Sequence, residues 1–138
     1  MRRSYRPIIF AMLLAMIWPN IAFSEDQDTI RGVISGQIEA FKQDDAKSAY
    51  AFAAPIIQQL FPDEDIFISM VKKGYPQVYR PKTYQFGTLE PMDNAMAQTV
   101  ILTDAEGRQW RALYTLERQS DGQWKISGCR ILKSDITS

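Results

Sequence analysis

Apolar residues recur along residues 30–41 at steps of three and four: Ile30, Val33, Ile34, Ile38 and Phe41. This spacing places them on one face of a helix, and Asp28 stands where an N-cap belongs. Gly32 and Gly36 lie off or beside that stripe, where they weaken the helix and let another backbone come close. Asp44 and Asp45 end this helix and start a second, small-residue one through Ala46, Ala49, Tyr50 and Ala53 up to Pro55. Ile56, Ile57, Leu60 and Phe61 carry the stripe past that proline. Phe61-Pro62-Asp63-Glu64-Asp65 then reads as a helix start, because proline suits the boundary and acids favour the positive end of the helix dipole. Ile66, Phe67, Met70 and Val71 are the expected buried face of the third helix, which Gly74 and Pro76 terminate.

Beyond Lys82 the period changes to two. Four β-rich runs cover residues 83–90, 95–103, 109–118 and 123–133. They are separated by Pro91-Met92-Asp93-Asn94, Asp104-Ala105-Glu106-Gly107 and Ser120-Asp121-Gly122, turn residues at hairpin length. Such short links require antiparallel neighbours, and strands this long usually bend. Trp110, Ala112, Tyr114 and Leu116 point one way. Gln109, Arg111, Thr115 and Glu117 point the other, and an apolar Leu113 interrupts that polar side. Trp124 and Ile126 share a face, and Gly128 marks a bulge that resets the phase before Cys129 and Ile131. Trp124, with Ile126 and Leu132 for neighbours, is expected in the core.

The first twenty-four residues follow a different logic. Arg2, Arg3 and Arg6 precede an apolar run, IIFAMLLAMIW, which Pro19 and Asn20 break before Ala22-Phe23-Ser24. A basic head, a short apolar middle and small residues at the exit make a secretory signal, with cleavage between Ser24 and Glu25. A spanning helix needs roughly twenty apolar residues, so the run is too short for a permanent anchor. Membrane contact is therefore expected only during export, by the general route rather than the twin-arginine one, to the periplasm or beyond. Residues 25–138 then form one domain.

Loss of the signal's three arginines leaves a net charge of about −3. With no cluster of basic residues, nucleic acid is not an expected partner. There is one cysteine, Cys129, and no histidine. A lone cysteine gives no internal disulfide framework and reads here as a small buried hydrophobe. The missing histidine removes the commonest metal ligand and general base. No metal and no cofactor are expected.

Three helices followed by a long antiparallel meander resemble the nuclear transport factor 2-like, cystatin-like α+β superfold. The segments QIEAFKQDD, AYAFAAP, FISMVKKGYPQVYRP and WRALYTLERQSDGQWKISGC, spanning residues 26–132, resemble the bacterial domain-of-unknown-function 4864 family. Gly74-Tyr75-Pro76, Tyr79-Arg80-Pro81 and the strand from Trp124 to Cys129 are its most specific parts. The resemblance implies three N-terminal helices packed on a curved four-stranded antiparallel sheet that together enclose a cone. It implies no catalytic residues. Enzymes of this superfold place an acid or a tyrosine inside the cone; other members only bind ligands, or dimerise through the sheet.

Tyr75, Tyr79, Arg80 and Tyr84 form the strongest polar-aromatic candidate, at the handover from the third helix to the first strand. Phenols and a guanidinium there would line a ligand's entrance, with Arg80 meeting an anionic group. The blander reading makes them a stiff connection with packed tyrosines. Arg111, Glu117 and Gln109 read as the wet face of a half-buried sheet. Asp63, Glu64 and Asp65 read as helix-start acids rather than a cation site. Asp44, Asp45 and Glu90 are the acids left open for the cone. The expected function is a non-catalytic exported module that binds a small apolar or anionic ligand or a protein partner, with the sheet as a homodimer surface. The alternative is a small isomerase or dehydratase.

Overall fold

The computed structural model describes Ser4, Pro7 and residues 19–133. Most of the expected signal lies outside the described residues. Helix α1 (Pro19–Lys42) runs unbroken past Ser24 and Glu25. Asp28 therefore lies inside this helix instead of capping it. Residues 22–25 are exposed, and the first fully buried side chain of α1 is Ile30.

Four further helices follow: α2 (Ala46–Ala51), α3 (Pro55–Leu60), α4 (Glu64–Gly74) and α5 (Pro76–Tyr79). The expected second helix is thus two short pieces, because Pro55 cannot continue α2 but suits the first turn of α3. A one-turn helix also occupies the Tyr75–Arg80 link. Asp45 caps α2 through Ser48 N–H, and Asp63 caps α4 through the N–H groups of Asp65 and Ile66. The acids at residues 63–65 are helix-start residues, as their order implies.

The strands are β1 (Thr83–Met92), β2 (Ala95–Thr103), β3 (Gln109–Arg118) and β4 (Trp124–Lys133), paired antiparallel in the order β1-β2-β3-β4. The first turn is tighter than expected, with Pro91 and Met92 inside β1. Pro91 is tolerated because β1 is an edge strand. Gly128 behaves as expected: register shifts between Thr115 and Leu116, and Ile126, Cys129 and Ile131 all pair with residues of β3's buried face. A Cβ on Gly128 would lie 2.8 Å from Thr115 Oγ1. A second shift interrupts β1 between Phe86 and Leu89. Two irregularities in opposite edge strands allow the long sheet to bend.

The core lies between α1 and the inner sheet face. Ile30, Ile34, Ile38 and Phe41 meet Val100, Leu102, Ala112, Tyr114 and Leu116. On α4 the buried set is Phe67, Ile68 and Val71, whereas Ile66 is 53% exposed. The apolar run Ile66-Phe67-Ile68 supports two overlapping stripes, and the fold buries the later one, with Phe67, common to both, against Phe41 and Tyr50. Trp124 is half-buried under Arg118, and Leu132 lies on the outer face opposite Arg111. Gly36 does permit a close approach, but of a side chain: a Cβ there would lie 2.6 Å from the Phe52 ring.

Candidate functional site

Between α1, the α3–α4 layer and β4 lies a cavity of about 300 Å³. Phe67 is its aromatic hub, with ring centroids 5.6 Å from Tyr50, 6.0 Å from Phe41 and 6.4 Å from Phe61. Ile57, Leu60, Met70 and Val71 supply aliphatic surface, and Ile126, Gly128 and Cys129 line it from the sheet. No lining residue is charged. The polar side chains among them are Gln37, Tyr75 and Cys129.

Short helix α3 roofs this space without burying a side chain of its own. Its start is tied to β4 by the Ala53–Ile126 bridge, where Ala54 N–H donates to Ile126 C=O at 2.7 Å. Its end is latched by Tyr50, whose hydroxyl donates to Phe61 C=O at 2.7 Å. Ile56 and Leu60 remain 48% and 64% exposed. Bridged at its start and latched at its end, α3 is also tied at its middle, where Gln58 Nε2 donates to the carbonyls of Tyr50 and Ala53 at 3.1 and 3.4 Å.

The four predicted rim residues are divided. Tyr75 lines the cavity. Tyr79 packs on Phe41 at 6.0 Å, and Arg80 and Lys72 stand over its ring. Arg80 points to Asp44, with Nη2 to Oδ2 at 2.8 Å, and Lys72 reaches the same carboxylate at 3.5 Å. Tyr84 lies on the first strand, edge-on to Phe86 at 5.8 Å. Asp44, Asp45 and Glu90 are exposed, and none lines the cavity.

Cross-strand pairing aligns Leu89, Gln98, Tyr114 and Cys129 in one row of the inner face. Tyr114 is fully buried, and the polar group beside its hydroxyl is the Cys129 thiol, a weak hydrogen-bond partner. Burial first, and then the adjacent Cys129, push its ionisation well above the usual phenol range. Burial also pushes the Cys129 thiol up to about 12. Part of Cys129 stays accessible, on the cavity side, but the group remains a neutral thiol at physiological pH. It is no thiolate nucleophile.

Two buried glutamines escaped the sequence reading. Gln98 Nε2 donates to the carbonyls of Gly87, Thr88 and Thr99, and its Oε1 accepts from Arg31 Nε. Arg31 also donates to Gly87 C=O and stacks over Phe86 at 5.3 Å. Together they hold the β1 irregularity. Gln37 is 4% exposed, lines the cavity, and donates from Nε2 to Ala49 C=O at 3.1 Å. Each had a visible cue: a polar residue at an inward position of the α1 stripe or of the β2 alternation. Among the described residues no cluster of side chains could hold a metal ion, and no helix is long and apolar enough to cross a membrane.

No curated protein matches the chain. A solved structure described as a 2.5 Angstrom structure from Catenulispora acidiphila is similar in fold, with a TM-score of 0.53 and 12% identity over 81% of this chain and 94% of that one. The α+β architecture is shared; at that identity the likeness extends no further. The family model for the domain of unknown function DUF4864 matches residues 23–137, and the chain belongs to that family.

Proposed function

We propose that this protein is an exported, non-catalytic module whose cone binds a small neutral apolar ligand. One observation carries the reading: a cavity of about 300 Å³, within the size range of ligand sites, with an apolar lining and no charge in it. An anionic ligand is disfavoured on the same ground, since burying an unpaired charge is costly. Arg80, its expected partner, is engaged with Asp44 outside the cavity. An isomerase or dehydratase would need a base facing the ligand; no carboxylate lines this space and the Cys129 thiol is held protonated, which leaves Tyr75 as the other acid-base side chain in the lining.

Support for export comes from residues 1–24 and from the start of the family match at residue 23. Removal of residues up to Ser24 would take no described core side chain with it. N-terminal sequencing should then begin at Glu25, and recovery of Met1 would contradict export with cleavage. For binding, the neutral fluorophore N-phenyl-1-naphthylamine should brighten with the wild-type protein. Replacement of Met70 by Trp, which fills the cavity, should abolish the signal. Equal signals from both proteins would place the dye elsewhere.

A homodimer through the sheet is a second reading. Ile101, Leu113 and Leu132 are half-buried on the outer face, among Arg111, Arg130 and Glu117. Sedimentation of wild type and Leu113→Asp tests it: a wild-type dimer that the substitution dissociates supports it, and a monomer refutes it.

A further inference from the structure

We infer that the ligand carries a hydrogen-bond donor, a hydroxyl or an N–H on an otherwise apolar body, and that this donor docks on the Gln37 carbonyl oxygen. The inference rests on the cavity being a binding site. Gln37 is nine-tenths buried and lines an otherwise apolar space. Ala49 C=O can only accept, so the bond it receives at 3.1 Å identifies the nitrogen end of the Gln37 amide. The oxygen end accepts no hydrogen bond from the described residues, unlike Gln98, whose oxygen is held by Arg31. Among the described residues Gln37 Oε1 is not one of the fully enclosed side-chain atoms that lack a partner, so a donor in the cavity can reach it.

The other polar groups narrow the chemistry. Cys129 is a neutral thiol and only a weak donor. Tyr75 is half-buried, so solvent competes at its surface. A carboxylate would bring negative charge against a carbonyl dipole in a space with no cation. A hydroxyl gives its proton to Gln37 Oε1 while its oxygen can accept from the amide's second N–H. By volume the space equals about ten liquid waters, which suits a ligand of roughly ten to fifteen non-hydrogen atoms.

A matched series tests this: 4-pentylphenol, 4-pentylanisole, pentylbenzene and 4-pentylbenzoate, each titrated into the protein by calorimetry or by displacement of N-phenyl-1-naphthylamine. The phenol should bind about tenfold more tightly than the anisole, which keeps the acceptor and loses the donor. The benzoate should bind weakest. In Gln37→Met the phenol's advantage over the anisole should vanish while the anisole and pentylbenzene still bind. Equal wild-type binding of phenol and anisole, or tightest binding of the benzoate, overturns the inference and leaves the cavity as an unselective apolar site. If no compound binds, the reading of the cavity fails and the inference with it. Should Gln37→Met not fold, the wild-type phenol-to-anisole ratio decides alone.

Discussion

The two buried glutamines mark two differently built ends of the same layer. At one, Gln98 and Arg31 close on the Gly87–Thr88 irregularity, and both ends of the Gln98 amide are engaged. At the other, Gln37 is tied at one atom only and borders a cavity roofed by α3. Polar groups of similar depth thus serve opposite ends. Complete satisfaction makes a rigid bend in the sheet, whereas at the cavity an acceptor atom is left accessible to a donor.

The largest expected effect concerns Cys129, at the open end. Its thiol is raised from 9.0 to about 12, so alkylation at pH 8.5 should be slower in the native protein than in urea by about a hundredfold or more. The proton-bearing form is favoured by folding. This contribution is therefore present below the unfolded value near 9, and it is lost as pH rises from there toward the folded value. Equal labelling rates would mean that the cavity floor is open to solvent and reagent.

Next in size is the closed end. Gln98→Leu should cost about 2–4 kcal/mol in denaturant unfolding, because it strands backbone carbonyls and takes one acceptor from the half-buried Arg31. A loss below about 1 kcal/mol would show that the irregularity does not depend on the clamp. Gln37→Met should cost only about 1 kcal/mol, the single bond to Ala49. A cost as large as that of Gln98→Leu would remove the contrast between the two ends. Tyr114→Phe is the mildest change. Since the hydroxyl it removes meets only the Cys129 thiol, a weak partner, stability should stay within about 1 kcal/mol of wild type or rise. A loss above about 2 kcal/mol would show that the hydroxyl makes a stronger bond than one to a thiol.

Trp110 offers a pH probe far from the cavity. Its Nε1 donates to Asp104 Oδ2 at 2.9 Å, and this bond, aided by the Arg108 backbone, lowers the Asp104 carboxyl below its usual 3.8. Folding favours the charged form, so the contribution is complete above the unfolded value and is lost as pH falls through the lowered one. Trp110 emission should hold steady down to about pH 4 and change below it. Asp104→Asn should remove that transition.

Much of the frame was legible locally. Antiparallel order follows from turns of a few residues, and the outward direction of Arg111 and Glu117 follows from alternation. The Gly128 bulge was visible because Ile126 and Cys129 fall out of phase, and the start of α4 because Pro62 and three acids precede an apolar run. Each of these depends on neighbours within a few residues. The stripe on α4 was not decided at that range, since Ile66 and Ile68 are equally apolar and only the packing of the whole chain buries Ile68 and leaves Ile66 exposed. Nor was the division of the Tyr75, Tyr79, Arg80 and Tyr84 group. Their closeness in sequence was real, but Asp44, distant in the chain, drew Arg80 outward while Tyr75 alone of the four came to line the cavity.

By itself the sequence determined most of the element types, the antiparallel meander and a chemistry without histidine, because periodicity, turns and composition are properties of the chain. Only the tertiary structure decided that the space beneath α3 stays open, that Gln98 is satisfied while Gln37 is not, and that Cys129 borders the space as a neutral thiol. A cavity and an unmet hydrogen bond are properties of what fails to arrive at a place. No local pattern records that, because it depends on how residues from α1, α3, α4 and β4 pack together.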